Sequence, residues 1–400
     1  MNSVEPTRAA WVTCIMATLF PFYSFFQMNM FNVIGPILQE EDHLTLFQVG
    51  LLSASYLYAQ AACLIMAGIF LDRFPIKRLI MMSMILLATG TLVFTVSDSV
   101  FVLFLARIVT GIAHAFAILG CFQMIARWFP ADKNSFLMGI VMTIALLGGL
   151  FSQAPFLLLV NAFGMHYAML INVVVGYLIV IILFVSLREP PQLALGSKNI
   201  PKNMSIFYEL KMVIANGQNW LCGFYASCMS FPMLVLGAAW GVAYLVHANQ
   251  ISDLEAAFVT LMIFVGMIVG TPLAGIIADF SQYKNMVLVA SPAILAFMFL
   301  VIILFTHLPL SILLALFFII GLLSGPQVLV YPMIASNNKK NIVGLALGFS
   351  STIIMLGGVL AQTIISGVAV SQGFNIAIFI LPITLILCFI VALKIKQKGY

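Results

Sequence analysis

Twelve stretches of the chain stay apolar for about twenty residues or more, the length a helix needs to cross the hydrocarbon of a bilayer. They run approximately 10–38, 46–71, 79–97, 99–126, 135–162, 166–187, 219–246, 256–278, 286–306, 309–335, 342–369 and 374–393. Inside hydrocarbon each segment must satisfy its own backbone hydrogen bonds, which makes helices the expected solution. With 63% of residues hydrophobic and 7% charged, too little polar sequence remains to build a soluble catalytic domain. The expected fold class is an all-α membrane protein with twelve transmembrane helices.

All but one of the seventeen lysines and arginines fall in alternate gaps between these stretches or at the two ends. That set holds Arg8, Arg73, Lys77, Arg78, Arg127, Lys133, Arg188, Lys198, Lys202, Lys211, Lys284, Lys339, Lys340, Lys394, Lys396 and Lys398. The other gaps carry Glu40, Glu41, Asp42, Asp98, Asp253 and Glu255, with His43, His166, His247 and His307. By the positive-inside rule the basic side is cytoplasmic, so both termini are expected there, as an even number of crossings requires. The net charge of +5 then serves to anchor the chain against anionic inner-leaflet lipid, and nucleic acid is not an expected partner. All six cysteines lie within the apolar stretches, away from any oxidising surface, so no disulfide framework is expected. No phosphate-binding loop, His-Glu-x-x-His pair or cysteine-histidine cluster occurs. The reading is therefore not an enzyme, with no cofactor and no metal.

The polar interval from Arg188 to Gln218 divides the chain into six stretches and six. Expected units are residues 1–187, a cytoplasmic linker at 188–218 with a short amphipathic helix over 204–215, and residues 219–400. The two halves echo each other. Gly68-x-x-x-Asp72 recurs as Gly275-x-x-x-Asp279, with Lys77 and Lys284 at the same spacing, an offset of 207. Met124-Ile-Ala126 recurs as Met333-Ile-Ala335, and Gly148-Gly-x-x-x-Gln153 as Gly357-Gly-x-x-x-Gln362, both offset by 209. Two homologous six-helix bundles account for the order and the near-constant spacing.

The loop after the second stretch reads Gly68-x-x-x-Asp72-Arg73-x-Pro75-x-Lys77-Arg78, which resembles the signature between the second and third helices of the major facilitator superfamily. The resemblance implies a latch that holds the halves together when the inside is shut, made here by Gly68, Asp72, Arg73, Lys77 and Arg78 and, in the second half, by Gly275, Asp279 and Lys284. Pro75 and Phe280 depart from the family pattern. Extended to the whole chain, the resemblance implies alternating access between two bundles in a bacterial inner membrane. The Arg127-Trp-Phe-Pro130 end of the fourth stretch is similar to a branch found in intracellular bacteria that import host nutrients.

Arg107 is the one cation inside an apolar stretch, and a guanidinium at that depth must face a partner, water or an anionic ligand. At about 100° per residue Arg107, Gly111 and His114 share a helix face. The segment resembles the arginine-glycine fourth helix of the superfamily, whose organic-anion symporters often place a proton-carrying glutamate seven residues after the arginine. His114 stands there, and no Asp or Glu lies in the interior of any stretch. Arg107 is thus the candidate anion contact and His114 the candidate proton carrier. Tyr23, Gln27, Tyr225, Gln327 and Tyr331 are candidate cavity residues, whereas Asn32, Gln153 and Gln362 read as helix-to-helix glue. Pro232 and Pro326 are expected to mark bends. The expected function is secondary transport, by a monomer, of a small carboxylate-bearing solute such as an organic acid or amino acid, with protons as coupling ion. Rival readings are an exporter of an amphipathic metabolite or drug and a non-transporting sensor that keeps the fold.

Overall fold

The computed structural model describes residues 8–40, 44–129, 131–189, 206–279, 281–305, 307–338 and 342–395, with the surroundings of some helical side chains also left undescribed. Among the described residues, twelve helical spans are long and apolar enough to cross a membrane. They are Arg8–Glu40, Leu46–Leu71, Ile76–Val96, Val100–Ile125, Leu137–Phe163, Met165–Ser186, Gly217–Asn249, Asp253–Ala274, Met286–Leu304, Leu310–Leu329, Leu345–Gln372 and Phe374–Ala392. No strand occurs among the described residues.

The internal repeat extends to details of chain geometry. The second span begins with a capping box: the Thr45 N–H donates to Gln48 Oε1 at 2.8 Å, and the Gln48 N–H returns to the Thr45 hydroxyl at 3.3 Å. Ser252 and Glu255 do the same for the eighth span, at 2.9 and 3.3 Å. Gly164 and Gly373 open the sixth and twelfth spans at φ of 81° and 87°, a region that favours glycine. A Cβ on Gly111 would overlap the Tyr56 carbonyl, and one on Gly321 would overlap the Ile263 carbonyl. The second and fourth spans, like the eighth and tenth, therefore meet backbone to backbone. Paired this way, Phe317 takes the place of Arg107 in the second half and Ser324 that of His114. The cation has no counterpart there.

Several spans are interrupted. The first turns at Met30, between helices Leu19–Asn29 and Phe31–Glu40; the fourth turns at 115–116, just after His114; and the fifth turns at 152–153, just before Pro155. Pro232 opens a π-helical segment, Pro232–Trp240, and Pro326 lies in the 3-10 turn Gly325–Leu329. Helix geometry changes at both of these prolines, where bends were expected.

The linker helix spans Ile206–Ala215, with Val213 buried. It is held to the start of the seventh span by the Trp220 indole N–H on the Ile214 carbonyl at 2.9 Å and by Asn219 Nδ2 on the Val213 carbonyl at 3.0 Å. The rest of that expectation, residues 190–205, lies outside the described residues.

One hydrophobic core joins both halves: it takes in Phe31, Leu52, Leu103 and Leu157 of the first half and runs through the whole of the second. A separate core, including Cys14, Ile80, Cys121 and Leu183, belongs to the first half alone, toward the termini. The halves are thus fused at the end away from the termini, here called the far end. Nearer the termini, Leu64, Ala67 and Ala115 meet Met355 across the divide.

Candidate functional site

Arg107 is 2% exposed at the junction of the first, second and fourth spans. Its guanidinium lies between two rings, 4.3 Å from the Phe31 centroid and 4.4 Å from that of Tyr56. Such stacking suits the planar, weakly hydrated cation. Nε donates to the Leu52 carbonyl at 3.3 Å and Nη1 to the Gln27 carbonyl at 2.9 Å. The second acceptor exists because the first span turns at Met30: Gln27 is in the last turn of helix Leu19–Asn29, where carbonyls lack regular intrahelical donors and a cation is favoured. Nη2 has no partner. The free edge of a buried cation is what an anion would engage.

His114, also buried, is the last residue of helix Val100–His114. Its Nδ1 lies 2.8 Å from the Tyr56 hydroxyl and 3.3 Å from the Ser24 carbonyl, and the same hydroxyl donates to that carbonyl at 2.9 Å. With Nδ1 protonated, the ring donates to Tyr56 and the phenol donates onward to Ser24. With Nδ1 bare, the phenol turns its single proton to the ring. Tyr56 thus carries the guanidinium on its face and the imidazole at its tip, a link not evident from the sequence. In a chain with 11 tyrosines and 34 phenylalanines, neither Tyr56 nor Phe31 carries a local mark to separate it from packing residues.

The other expected cavity residues are dispersed. The Tyr23 hydroxyl donates to the Asn172 carbonyl at 3.0 Å and its ring packs where a Cβ on Gly176 would stand, so it braces the first span against the sixth. Gln27 is buried, with Nε2 unpartnered. In the second half Tyr225 is buried with a free hydroxyl, Gln327 accepts the Ser230 hydroxyl, and Tyr331 is half-buried. Apart from the Gln27 carbonyl on Arg107 Nη1, no described hydrogen bond or ring contact joins this group to Arg107 and His114. The two sets do not converge on one pocket in this state. A groove of about 240 Å³ beside Tyr23 is lined mainly by phenylalanines and other apolar side chains of the first, fifth and sixth spans.

The profile of the Major Facilitator Superfamily matches residues 18–247 and 224–398. The chain belongs to that superfamily. Facilitator proteins are transporters, and this chain is a multi-pass membrane transporter with no enzymatic role. It is 24% identical over 283 residues to a probable sulfoacetate transporter of Cupriavidus necator, covering 67% of this chain and 64% of that relative. To a D-galactonate transporter of Escherichia coli O6:H1 it is 22% identical over 305 residues, 71% of this chain and 70% of the relative. Its fold superposes with a TM-score of 0.75 on a bacterial homolog of the human lysosomal transporter Spinster in an inward-facing, unoccupied conformation, at 16% identity and covering 98% of this chain and 100% of the other.

At the facilitator signature loop, the side-chain surroundings of Asp72, Arg73, Asp279 and Lys284, and those of Gly275, lie outside the described residues. A Cβ on Gly68 would meet nothing within 4 Å among the described atoms, so no described helix approaches this glycine closely. The start of helix Ile76–Val96 is capped by Glu189, whose carboxylate accepts the Ile76 and Lys77 N–H groups at 2.8 and 3.1 Å. The Lys77 ammonium lies 5.9 Å from the Phe184 ring centroid, and Arg78 is exposed. Arg127 Nη2 donates to the Leu71 carbonyl at 2.8 Å, at the end of the second span. The loop is thus tied to the fourth and sixth spans by residues outside its own motif.

Proposed function

We propose that this facilitator protein moves a small organic acid across a bacterial inner membrane by alternating access, with both termini cytoplasmic, and that proton movement drives it. The observation that carries the reading is Arg107: a buried guanidinium whose acceptors are two backbone carbonyls, with Nη2 unpaired and no acidic residue in the interior of any span. Leaving a cation so placed is costly unless an anion arrives to use it. The compounds in the names of the two relatives, sulfoacetate and galactonate, are small organic anions and agree with that chemistry. His114 is the coupling group, because it is the only histidine within a span's interior and shares Tyr56 with the anion site. Asp72 and Asp279, with the basic residues around them, act as the conformational latch at the termini end.

Uptake of labelled D-galactonate and sulfoacetate into vesicles under an imposed pH step tests the reading. Wild type accumulates at least one of them uphill. His114→Gln keeps exchange down a substrate gradient and loses accumulation driven by the pH step, because an amide replaces the hydrogen bonds but cannot titrate. Full uphill uptake by His114→Gln would place coupling elsewhere. Orientation is checked separately: reporter fusions after Lys202 and Tyr400 read as cytoplasmic and one at Asp98 as periplasmic, and a periplasmic reading at Lys202 would refute the charge-based topology.

A further inference from the structure

The two repeat-related glutamines, Gln153 and Gln362, converge on one element. Gln153 Nε2 donates to the Gly237 carbonyl at 2.9 Å, and Gln362 Nε2 donates to the Leu234 carbonyl. Both carbonyls belong to the π-helical segment Pro232–Trp240 of the seventh span, every residue of which is buried. A π-helix widens its turns and is seldom extended, so side-chain donors on its carbonyls help to hold it.

The two bonds differ in what they join. Gln362 is in the same half as the π-helix, whereas Gln153 reaches it from the other half. Further bonds cross the divide at the same place. Asn32 Oδ1 accepts the Val242 N–H at 2.9 Å, and the Thr260 hydroxyl donates to Gln153 Oε1 at 3.1 Å. Asn32 Nδ2 donates to Gln153 Oε1 at 2.6 Å, locking the two amides of the first half together. Asn32, Gln153 and Thr260 are all buried, and Phe264 fills the space beside Gly149, where a Cβ would overlap its ring. The turn at 152–153 in the fifth span brings Gln153 to this position.

We propose that Asn32 and Gln153 form the lock of a gate at the far end, with the π-helical segment and Thr260 as its catch, and that Gln362 steadies the catch from within its own half. Every cross-half bond of the set must break for the far end to open. Neutral amides suit this task, since each bond contributes modestly in a buried setting and the set can part without stranding a charge. The lock is separate from Arg107 and makes no demand on the identity of the transported solute.

The test uses purified full-length protein in detergent, with two cysteine reporters read by maleimide labelling rate against the background of the six native cysteines. Ala256→Cys lies one helical turn from Thr260 and is fully buried in the closed state. Leu119→Cys lies at the cross-half cluster nearer the termini and is half-buried. Gln153→Leu should raise labelling at Ala256→Cys roughly tenfold, as expected when a small set of buried hydrogen bonds is lost. It should lower labelling at Leu119→Cys, because opening one end closes the other. Thr260→Val, which is nearly isosteric, should shift both rates the same way by a smaller factor and serves if Gln153→Leu does not fold. Gln362→Leu should leave both rates within about twofold of wild type. Unchanged rates in Gln153→Leu and Thr260→Val would overturn the proposal. So would a rise at both reporters together, which reports general loosening, or the Gln153 pattern appearing in Gln362→Leu.

Discussion

Arg107→Ala should abolish measurable binding and uptake of organic acids, a loss of at least about a hundredfold. Removing one member of a buried, hydrogen-bonded charge pair costs roughly 2–5 kcal/mol, and each 1.4 kcal/mol is tenfold in affinity. The variant also gives up a structural contact. The Gln27 and Leu52 carbonyls lose their donor, and the space between Phe31 and Tyr56 empties. Arg107→Lys separates the two effects. An ammonium keeps the charge and can reach one carbonyl, but it lacks the fork that serves both carbonyls and still presents a free edge. It should therefore restore much of the melting temperature and little of the affinity. Thermal shift with D-galactonate or sulfoacetate as ligand reads both quantities, because a ligand bound only by the folded state raises its melting point. Undiminished ligand-induced stabilisation in Arg107→Ala would reduce the arginine to a strut between the first and second spans.

Gly111→Ala should destabilise the protein by about 1–3 kcal/mol or more, although the same change at Gly68 should be nearly neutral. The added methyl on Gly111 falls on the Tyr56 carbonyl, and backbone cannot yield as a flexible side chain would. Separating the second and fourth spans would also draw Tyr56 away from both Arg107 and His114. A methyl on Gly68 enters open space among the described atoms. Thermal unfolding of the two variants in the same detergent makes the comparison, and equal melting temperatures would show that the close approach carries no weight.

The disposition of the candidate site was only partly legible in advance. Arg107 and His114 stand out because charge and titratable groups are rare in apolar stretches, and helical periodicity alone puts them on one face. Asn32, Gln153 and Gln362 read correctly as glue, but nothing local in a glutamine shows whether its partner lies in its own half or across the divide. Tyr23 reads as a cavity residue from its polarity; it lines a groove, and its hydroxyl donates to the Asn172 carbonyl, a partner that hydrogen-bonding capacity alone does not name. Tyr225, Gln327 and Tyr331 share a half with one another and have no described hydrogen bond or ring contact with Arg107, because polarity along one helix does not say which helix of the other half it will face.

Hydropathy, charge asymmetry and repeat spacing were sufficient to establish twelve helical spans, two related halves and a single buried cation. These follow from the cost of exposing backbone or charge to hydrocarbon, which acts on each segment separately. Tertiary structure alone decided that the first span turns at Met30 and offers Arg107 the Gln27 carbonyl, that Tyr56 bridges Arg107 and His114, and that Gln153 and Gln362 hold one π-helical segment from opposite halves. Such pairings depend on which faces of distant helices meet. Their energies reside in contacts between segments, and no single segment encodes its partner.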